Sequence, residues 1–353
     1  MRHWLDRCGL WKDPNMETTK MLGGRPAKRG EFPSAVAVTV HSGADGKNVQ
    51  AGSAWCTGTM ISSRHVLLAA HCFYSAETCG FGYPVDIMDY GYRYMVHFDM
   101  LSLDNQSLVK AKLKPITVKQ AYVPASFNIC HFKDVKAPFY DIAVAELESD
   151  VSPAAFKAGH VATMCVGWPR GVEKDHFDTY GFGYDPMAAT IHKSVIDDDL
   201  QCLPAKARGL KVALFLCRSG AGTLSTESVR RGSAVCNRDM ENGTIIAADS
   251  ICVDENKVAG CRGDSGGPLI VSDRSKAHNF DAQRFAVGVL SGGTECDHLA
   301  SSKMLDAYGA AYTTVHDYVS NGWICSVTGL CGDPLAEKKQ EITETKSPPV
   351  KGV

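Results

Sequence analysis

Fourteen cysteines constrain this chain of 353 residues more than any other feature. Their number is even, and no two of them stand in the Cys-x-x-Cys spacing of a zinc ribbon or a redox motif. So many cysteines without that spacing favour disulfide bridges, which persist in oxidising compartments and are rare in the cytosol. The sequence therefore predicts a disulfide-bonded protein that is secreted.

Two further features bear on secretion. Acceptor triplets for N-glycosylation begin at Asn105 and Asn242, and both fit an extracellular protein. The first 20 residues contain no apolar core of signal-peptide length, so we expect a leader that was removed or a start that is misplaced. Apolar runs such as 66–70 and 212–216 are far shorter than the ~20 residues that span a bilayer. No membrane partner is expected.

Composition and charge exclude other classes. With 44% hydrophobic and 22% charged residues, the chain is typical of a folded protein. A formal net charge of -2 supplies no field that attracts phosphates, so nucleic acid is not an expected partner. The stretch 181–186 (GFGYDP) lacks the last glycine of a dinucleotide fingerprint, and the histidines lack metal-ligand spacing. We expect no cofactor and no metal, and leave open a structural calcium ion.

The residue pattern is mostly that of β-strands. Short β-branched runs are separated by Gly, Pro, Asn and Asp clusters, at 35–40, 66–70, 142–147, 286–290 and 312–315. An amphipathic helix is first indicated at 315–324, so the pattern disfavours alternating βαβ units and favours an antiparallel all-β sandwich or barrel pair.

The length and the last residues indicate the domain organisation. Single hydrophobic cores stop growing at about 250 to 300 residues, so we expect two cores, or one core with attachments. Residues 333–353 are rich in Lys, Glu, Thr and Pro and predict a mobile tail.

Three segments carry residues suited to catalysis. Ser265 lies between glycines in 260–269, which suits a hydroxyl beside exposed amides; a glycine-rich turn with an incidental serine is the alternative interpretation. His71 ends an apolar run and could accept a proton near neutral pH, but a single histidine is more often structural. Asp141 opens a strongly apolar strand, where a carboxylate either has a partner or caps the strand.

Together these segments, Ala-Ala-His-Cys at 69–72 and Gly-Asp-Ser-Gly-Gly-Pro at 263–268, resemble the chymotrypsin-like serine proteases from about residue 21 to 323. The resemblance implies the family's triad, with His71 as general base, Asp141 as the carboxylate that orients it and Ser265 as nucleophile. The amides of Gly263 and Ser265 match the oxyanion hole. Ser291 matches the serine that hydrogen-bonds the catalytic aspartate.

The family implies both a fold and an activity. We expect an all-β protease domain at 21–332, with two six-stranded antiparallel β-barrels at about 21–150 and 151–315 and a short C-terminal helix. The expected activity is that of a serine endopeptidase, with protein or peptide substrates, an activating protease and protein protease inhibitors as partners. Two alternatives stay open: a catalytically silent homologue that acts as a binding or regulatory module, and a disulfide-stapled adhesion or toxin-like scaffold.

The resemblance also implies activation from a zymogen. Cleavage after Lys20 would release a propeptide, residues 1–20, from a new N-terminus at Met21, which would insert beside Asp264. The family usually has Ile or Val at the Met21 position, which weakens the assignment of this site. Other basic residues compete as cleavage positions, namely Arg25, Lys28 and Arg29.

The cysteines largely match the family's bridges. Resemblance pairs Cys56 with Cys72, Cys236 with Cys252, Cys261 with Cys296, and Cys8 with Cys165, the last holding the propeptide. Elimination leaves Cys79 with Cys130, Cys202 with Cys217, and Cys325 with Cys331, although sequence alone does not determine this connectivity.

The specificity pocket departs from that of trypsin-like enzymes. Those enzymes have an aspartate six residues before the nucleophile, and this chain has Ala259 there. The other positions that match the pocket are Gly260, Ser291, Gly293 and Ala310. Without a charge at its base, the pocket predicts cleavage after apolar residues. Glu295 or Asp306 is the alternative source of a charge, which would favour Lys or Arg.

Overall fold

The structure, a computed structural model, describes part of the chain in several ranges. These ranges are 8–11, 20–42, 55–75, 85–86, 88, 91–103, 105–130, 140–169, 176–183, 202–205, 214–217, 225–230, 249–254, 260–261, 263–274, 282–293 and 309–331. Several predicted positions lie outside them, namely Cys79, Cys236, Asn242, Ala259, Glu295, Cys296, Asp306 and the tail 333–353.

Strands are the commonest element among the described residues. They are β1 (Lys20–Pro26), β2 (Ala35–Ser42), β3 (Cys56–Met60), β4 (His65–Leu68), β5 (Tyr74–Ser75), β6 (Val85–Asp86), β7 (Tyr92–Phe98), β8 (Ile116–Tyr122), β9 (Ala143–Leu147), β10 (Cys165–Val166), β11 (His176–Gly181), β12 (Cys202–Ala205), β13 (Leu214–Cys217), β14 (Ser225–Arg230), β15 (Ser250–Asp254), β16 (Pro268–Asp273), β17 (Gln283–Gly292) and β18 (Gly309–Thr314). The described helices are a 3₁₀ turn at Ala70–Cys72 and α1 (Asn105–Val109), α2 (Pro153–Lys157), α3 (His316–Ser320) and α4 (Trp323–Thr328).

Six strands close into an antiparallel barrel in the order β2-β3-β4-β9-β8-β7. Its strands carry fully or nearly fully buried apolar side chains, among them Val36, Val38, Leu67, Val96 and Val144. Burying this apolar surface is what stabilises the closed sheet. The barrel confirms the predicted all-β class, and the predicted runs 35–40, 66–70 and 142–147 lie in or overlap three of its strands.

A second sheet contains six consecutive antiparallel strands in the order β14-β11-β16-β17-β18-β15. Two further strands join it: β1 pairs with the edge of β14, and the two-residue β10 runs parallel to β17. The described sheet thus contains the six antiparallel strands expected of the second barrel and two more, eight in all. The additional strands come from segments too short, or too rich in glycine, to be recognised from residue type alone.

Strand β3 of the first barrel packs against the second sheet and is buried along its whole length. Side chains of a strand alternate between two faces. A Cβ at Gly58 would approach Val66 and Val36 of the first barrel, so this face points into that barrel. Thr57 and Thr59 occupy the other face and hydrogen-bond Gly263 and Tyr180 of the second half.

The C-terminal helix is split in two. The predicted helix at 315–324 corresponds to α3 and the start of α4, which are separated at Gly322, where φ is +80°. A left-handed residue ends a helix, and glycine adopts that conformation at little cost. None of the described helices has the length and apolarity needed to span a bilayer.

Candidate active site

His71 and Asp141 meet at one end of the first barrel. Strands β4 and β9 pair antiparallel with Leu68 opposite Ala143, so the residues after β4 and before β9 leave the sheet side by side. The His71 Nδ1 atom lies 2.7 Å from Asp141 Oδ2, and the His71 amide donates to Oδ1 at 2.8 Å. The His71 side chain is 17% exposed and that of Asp141 is 0% exposed. The pair is thus held by two hydrogen bonds and opens to solvent only on the imidazole side.

The buried Asp141 carboxylate has a third donor. The hydroxyl of Ser291, near the end of β17, donates to Asp141 Oδ2. An unpaired buried carboxylate is very costly, whereas one that accepts several hydrogen bonds can remain ionised. The three donors therefore account for a carboxylate at a position with no solvent access.

Ser265 lies in a tight turn whose geometry requires glycine. The Asp264 amide donates to the Cys261 carbonyl at 2.9 Å, and Gly263 and Gly266 have φ values of +95° and +85°. Side chains other than glycine are strained in this region. The sequence's glycines on both sides of Ser265 thus correspond to the two left-handed residues of the turn.

The turn packs directly against the first barrel. The Thr57 amide donates to the Ser265 carbonyl at 2.8 Å, and the Cys72 sulfur lies 4.0 Å from the same oxygen. A Cβ added to Gly266 would lie 3.0 Å from the Ala69 amide nitrogen. The structure therefore brings the Ser265 turn against the segment 69–72 that carries His71.

Two amides of the turn make no hydrogen bond to the described residues and can bind a ligand. Within the described part of the chain, neither the Gly263 nor the Ser265 amide donates a hydrogen bond, although Gly263 is buried. Buried amides almost always have a partner, and a catalytic role is one explanation for an exception. The two N–H groups can donate hydrogen bonds to an anionic oxygen.

Asp264 is 2% exposed and is held by two amides. Gly183 donates to Oδ1 at 2.6 Å, and Cys261 donates to Oδ2 at 2.8 Å. Lys20 and Met21 are consecutive residues of the uncut strand β1. The insertion of a free Met21 terminus beside Asp264 therefore stays a prediction.

Apart from Ser291, whose hydroxyl binds Asp141, the described residues of the pocket have no polar side chain. Gly260 is partly exposed, Gly293 is exposed, and Ala310 is 2% exposed in β18. A Cβ at Gly260 would lie 2.8 Å from Leu290 Cδ2, so a leucine methyl group packs against this glycine. Sequence reasoning did not identify Leu290, because nothing distinguishes it from the other apolar residues of β17.

Three disulfide bridges are described: Cys8–Cys165, Cys56–Cys72 and Cys325–Cys331. Three further cysteines are bridged, Cys130, Cys252 and Cys261. Cys202 and Cys217, a predicted pair, stand opposite each other in the register of β12 and β13. Asn105, a predicted glycosylation position, is the first residue of α1. Cys56, His71 and Cys72 cluster as metal ligands would, but both sulfurs belong to one disulfide and have no thiolate to offer.

Known proteins match most of the chain. The model of the family described as Trypsin matches residues 21–319. The chain is 25% identical to a venom protease of Bombus pensylvanicus over 308 residues, which cover 85% of this chain and 97% of that protein. It is 25% identical to serine protease Hayan of Drosophila melanogaster over 285 residues, 79% of this chain and 36% of that protein.

A mammalian relative matches as well. Mannan-binding lectin serine protease 1 of Mus musculus is 22% identical over 328 residues, 92% of this chain and 37% of that protein. The chain thus spans nearly the whole venom protease, but little more than a third of the other two relatives.

Proposed function

The chain belongs to the trypsin family of serine proteases, and from this premise we propose that it is a secreted serine endopeptidase made as a zymogen. In this proposal His71, Asp141 and Ser265 form the catalytic triad. The observation that carries it is the Asp141 carboxylate, which is fully buried and bound by both His71 and Ser291. A structural role alone gives no reason for a buried carboxylate that holds a partly exposed imidazole on the segment against which the Ser265 turn packs.

The tautomer of His71 follows from this contact. An ionised Asp141 only accepts hydrogen bonds, so the His71 Nδ1 atom carries a hydrogen and Nε2 presents a lone pair. A serine hydroxyl is a weak nucleophile, and Nε2 is the base that can take its proton. Asp141 then stabilises the imidazolium that forms.

The proposed reaction has two halves. In the first, Ser265 Oγ attacks the substrate carbonyl carbon while His71 takes its proton, and the carbonyl oxygen becomes an oxyanion between the Gly263 and Ser265 amides. Such a donor contributes about 3 to 4 kcal/mol to the transition state. His71 then returns the proton to the departing amine, and an acyl-Ser265 ester remains. In the second half, water attacks the ester by the same steps and releases the acid and free Ser265.

Specificity for apolar residues before the cut bond is part of the proposal. It is supported by the alanine at position 259 and by the Leu290 methyl group that packs against Gly260. A substrate ammonium in such surroundings would lose its hydration without gaining a partner. A positional peptide library should show cleavage after apolar residues, and dominant cleavage after Lys or Arg would contradict this specificity.

An extracellular location and several protein partners are also part of the proposal. The bridges Cys8–Cys165 and Cys56–Cys72 suit an oxidising compartment, and one relative is named a venom protease. The proposed partners are protein substrates, an activating protease and protein inhibitors.

Fluorophosphonate labelling tests the proposed activity. After proteolytic activation the protein should react with the probe at Ser265, and peptide mapping should locate the adduct there. Ser265→Ala should abolish both labelling and turnover while leaving thermal unfolding unchanged. A correctly cleaved, folded protein that does not react with the probe would identify the chain as a silent homologue.

A further inference from the structure

Thr57 makes three hydrogen bonds to the second half of the site. It is 0% exposed in β3. Its hydroxyl accepts from the Phe182 amide at 2.9 Å and donates to the Gly263 carbonyl at 2.8 Å. Its amide donates to the Ser265 carbonyl at 2.8 Å. No sequence motif indicates this role, because the contact with Gly263 joins residues 206 apart.

The direction of both hydroxyl bonds is fixed. A hydroxyl has a single hydrogen, and an amide N–H can only donate. The bond from Phe182 therefore uses a lone pair of Thr57 Oγ1, and the hydroxyl hydrogen goes to the Gly263 carbonyl. The bond holds this carbonyl in one orientation.

That orientation bears on the oxyanion hole. The Gly263 carbonyl and amide belong to one residue with φ of +95°, and the next amide, that of Asp264, is already bound to Cys261. If Gly263 changed to negative φ, its N–H would turn away from its present direction. The φ rotation joins the two groups, so a fixed carbonyl restricts the directions in which the N–H can point.

The same hydroxyl supports Asp264 from the other side. Phe182 is followed by Gly183, whose amide donates to the Asp264 carboxylate. One buried hydroxyl thus holds both the carbonyl of the residue whose amide faces the oxyanion hole and the segment that binds the carboxylate beside it.

We propose that Thr57 is a positioning residue for the oxyanion hole, which orients the Gly263 amide through the Gly263 carbonyl and the Phe182 amide. This inference rests on the proposed protease activity. Thr57 itself does not touch the substrate, so its loss should weaken binding of the transition state while leaving binding of the substrate nearly unchanged.

Thr57→Val tests the inference, because it removes the hydroxyl and keeps the shape of the side chain. In the activated enzyme, kcat on a peptide ester should fall about 10- to 100-fold, with KM within about twofold, as expected for a misplaced donor. The inhibition constant of a peptide aldehyde, whose hemiacetal oxygen occupies the hole, should rise by a similar factor. Thr57→Ser restores the hydroxyl and should recover most of kcat.

Thr59→Val is the matched control. Thr59 is 1% exposed on the same face of the same strand, and its hydroxyl pairs with Tyr180 instead of Gly263. It should lower the melting temperature about as much as Thr57→Val while kcat and aldehyde inhibition stay near the wild-type values. If Thr57→Val does not fold, Thr57→Ala is measured in its place with the same expectation.

The outcomes separate this inference from the proposed function. Unchanged kcat in Thr57→Val, an equal loss in Thr59→Val, or no recovery in Thr57→Ser would each overturn the positioning role. Fluorophosphonate labelling of the wild type is measured first. A wild type that does not react rejects the protease itself, whereas a reactive wild type with an unaffected Thr57→Val rejects only the inference.

Discussion

Gly266→Ala should damage the site through the backbone rather than through any lost functional group. Gly266 follows Ser265, has φ of +85° and packs against β3 and the segment after β4. A Cβ there would approach the Thr57 carbonyl oxygen to 2.4 Å and the Leu68 Cβ to 3.0 Å. The Thr57 carbonyl is backbone in the middle of a buried strand, so it cannot rotate away.

Two costs follow from this geometry. A non-glycine residue in the left-handed region costs about 1 to 2 kcal/mol. Restoring an ordinary contact of 3.4 Å to Thr57 requires a shift of about 1 Å, and such overpacking costs about 1 to 3 kcal/mol. The free energy of unfolding should therefore fall by about 2 to 5 kcal/mol, and a 1 Å displacement of Ser265 should lower kcat/KM about 100-fold.

Gly30→Ala separates the two costs. Gly30 has a similar φ of +80° and lies in the turn between β1 and β2, where a Cβ would have nothing within 4 Å. In this variant, backbone strain should lower the free energy of unfolding by only about 1 to 2 kcal/mol. The melting temperature should fall by about 2 to 4 °C for each kcal/mol, and activity should be unchanged. Thermal unfolding and ester hydrolysis measure both variants. Equal melting temperatures together with wild-type kcat/KM in Gly266→Ala would refute the packing of this turn.

Three other predictions concern stability and activation. Burial, and then the neighbouring His41, lower the pKa of His97 to about 4, so the folded protein binds this proton less readily than the unfolded chain does. The free energy of unfolding should fall by up to about 3 kcal/mol as pH drops from about 6.5 to 4, and denaturant titrations should show a shallower fall in His97→Gln. Because Cys8 is bound to Cys165, non-reducing mass spectrometry should find residues 1–20 still attached to the activated protein. The Cys8→Ser variant should lose them after cleavage. Loss of these residues from the wild type would contradict the disulfide tether. N-terminal sequencing of the activated protein should begin at Met21, and Lys20→Gln should prevent this cut; a start at neither Met21 nor Leu22 would move the site elsewhere.

The sequence predicted the strands and site segments that short local motifs identify. Short β-branched runs located strands of the first barrel, and the residues around His71 and Ser265 identified the segments that the fold brings together. The role of Thr57 was not predictable, because a threonine in an apolar strand has the same local signature whether it faces solvent, a barrel interior or another sheet. Which of these surfaces the threonine faces depends on how its strand pairs with strands far away in the sequence. The break at Gly322 was also missed, because hydrophobic periodicity continues across it.

The two halves of the site differ in how they are held. His71 and Asp141 leave the paired strands β4 and β9, and their hydrogen bonds are already present with the Lys20–Met21 bond intact. Ser265, Gly263 and Asp264 lie on a turn of the second half, held to the first barrel through Thr57. Cleavage after Lys20 would place a new charge beside Asp264, so the proposed activation has to act on the turn and has little to change at the imidazole. In such a zymogen, His71 would already be oriented by Asp141. The orientation of the Gly263 and Ser265 amides would then determine the activity.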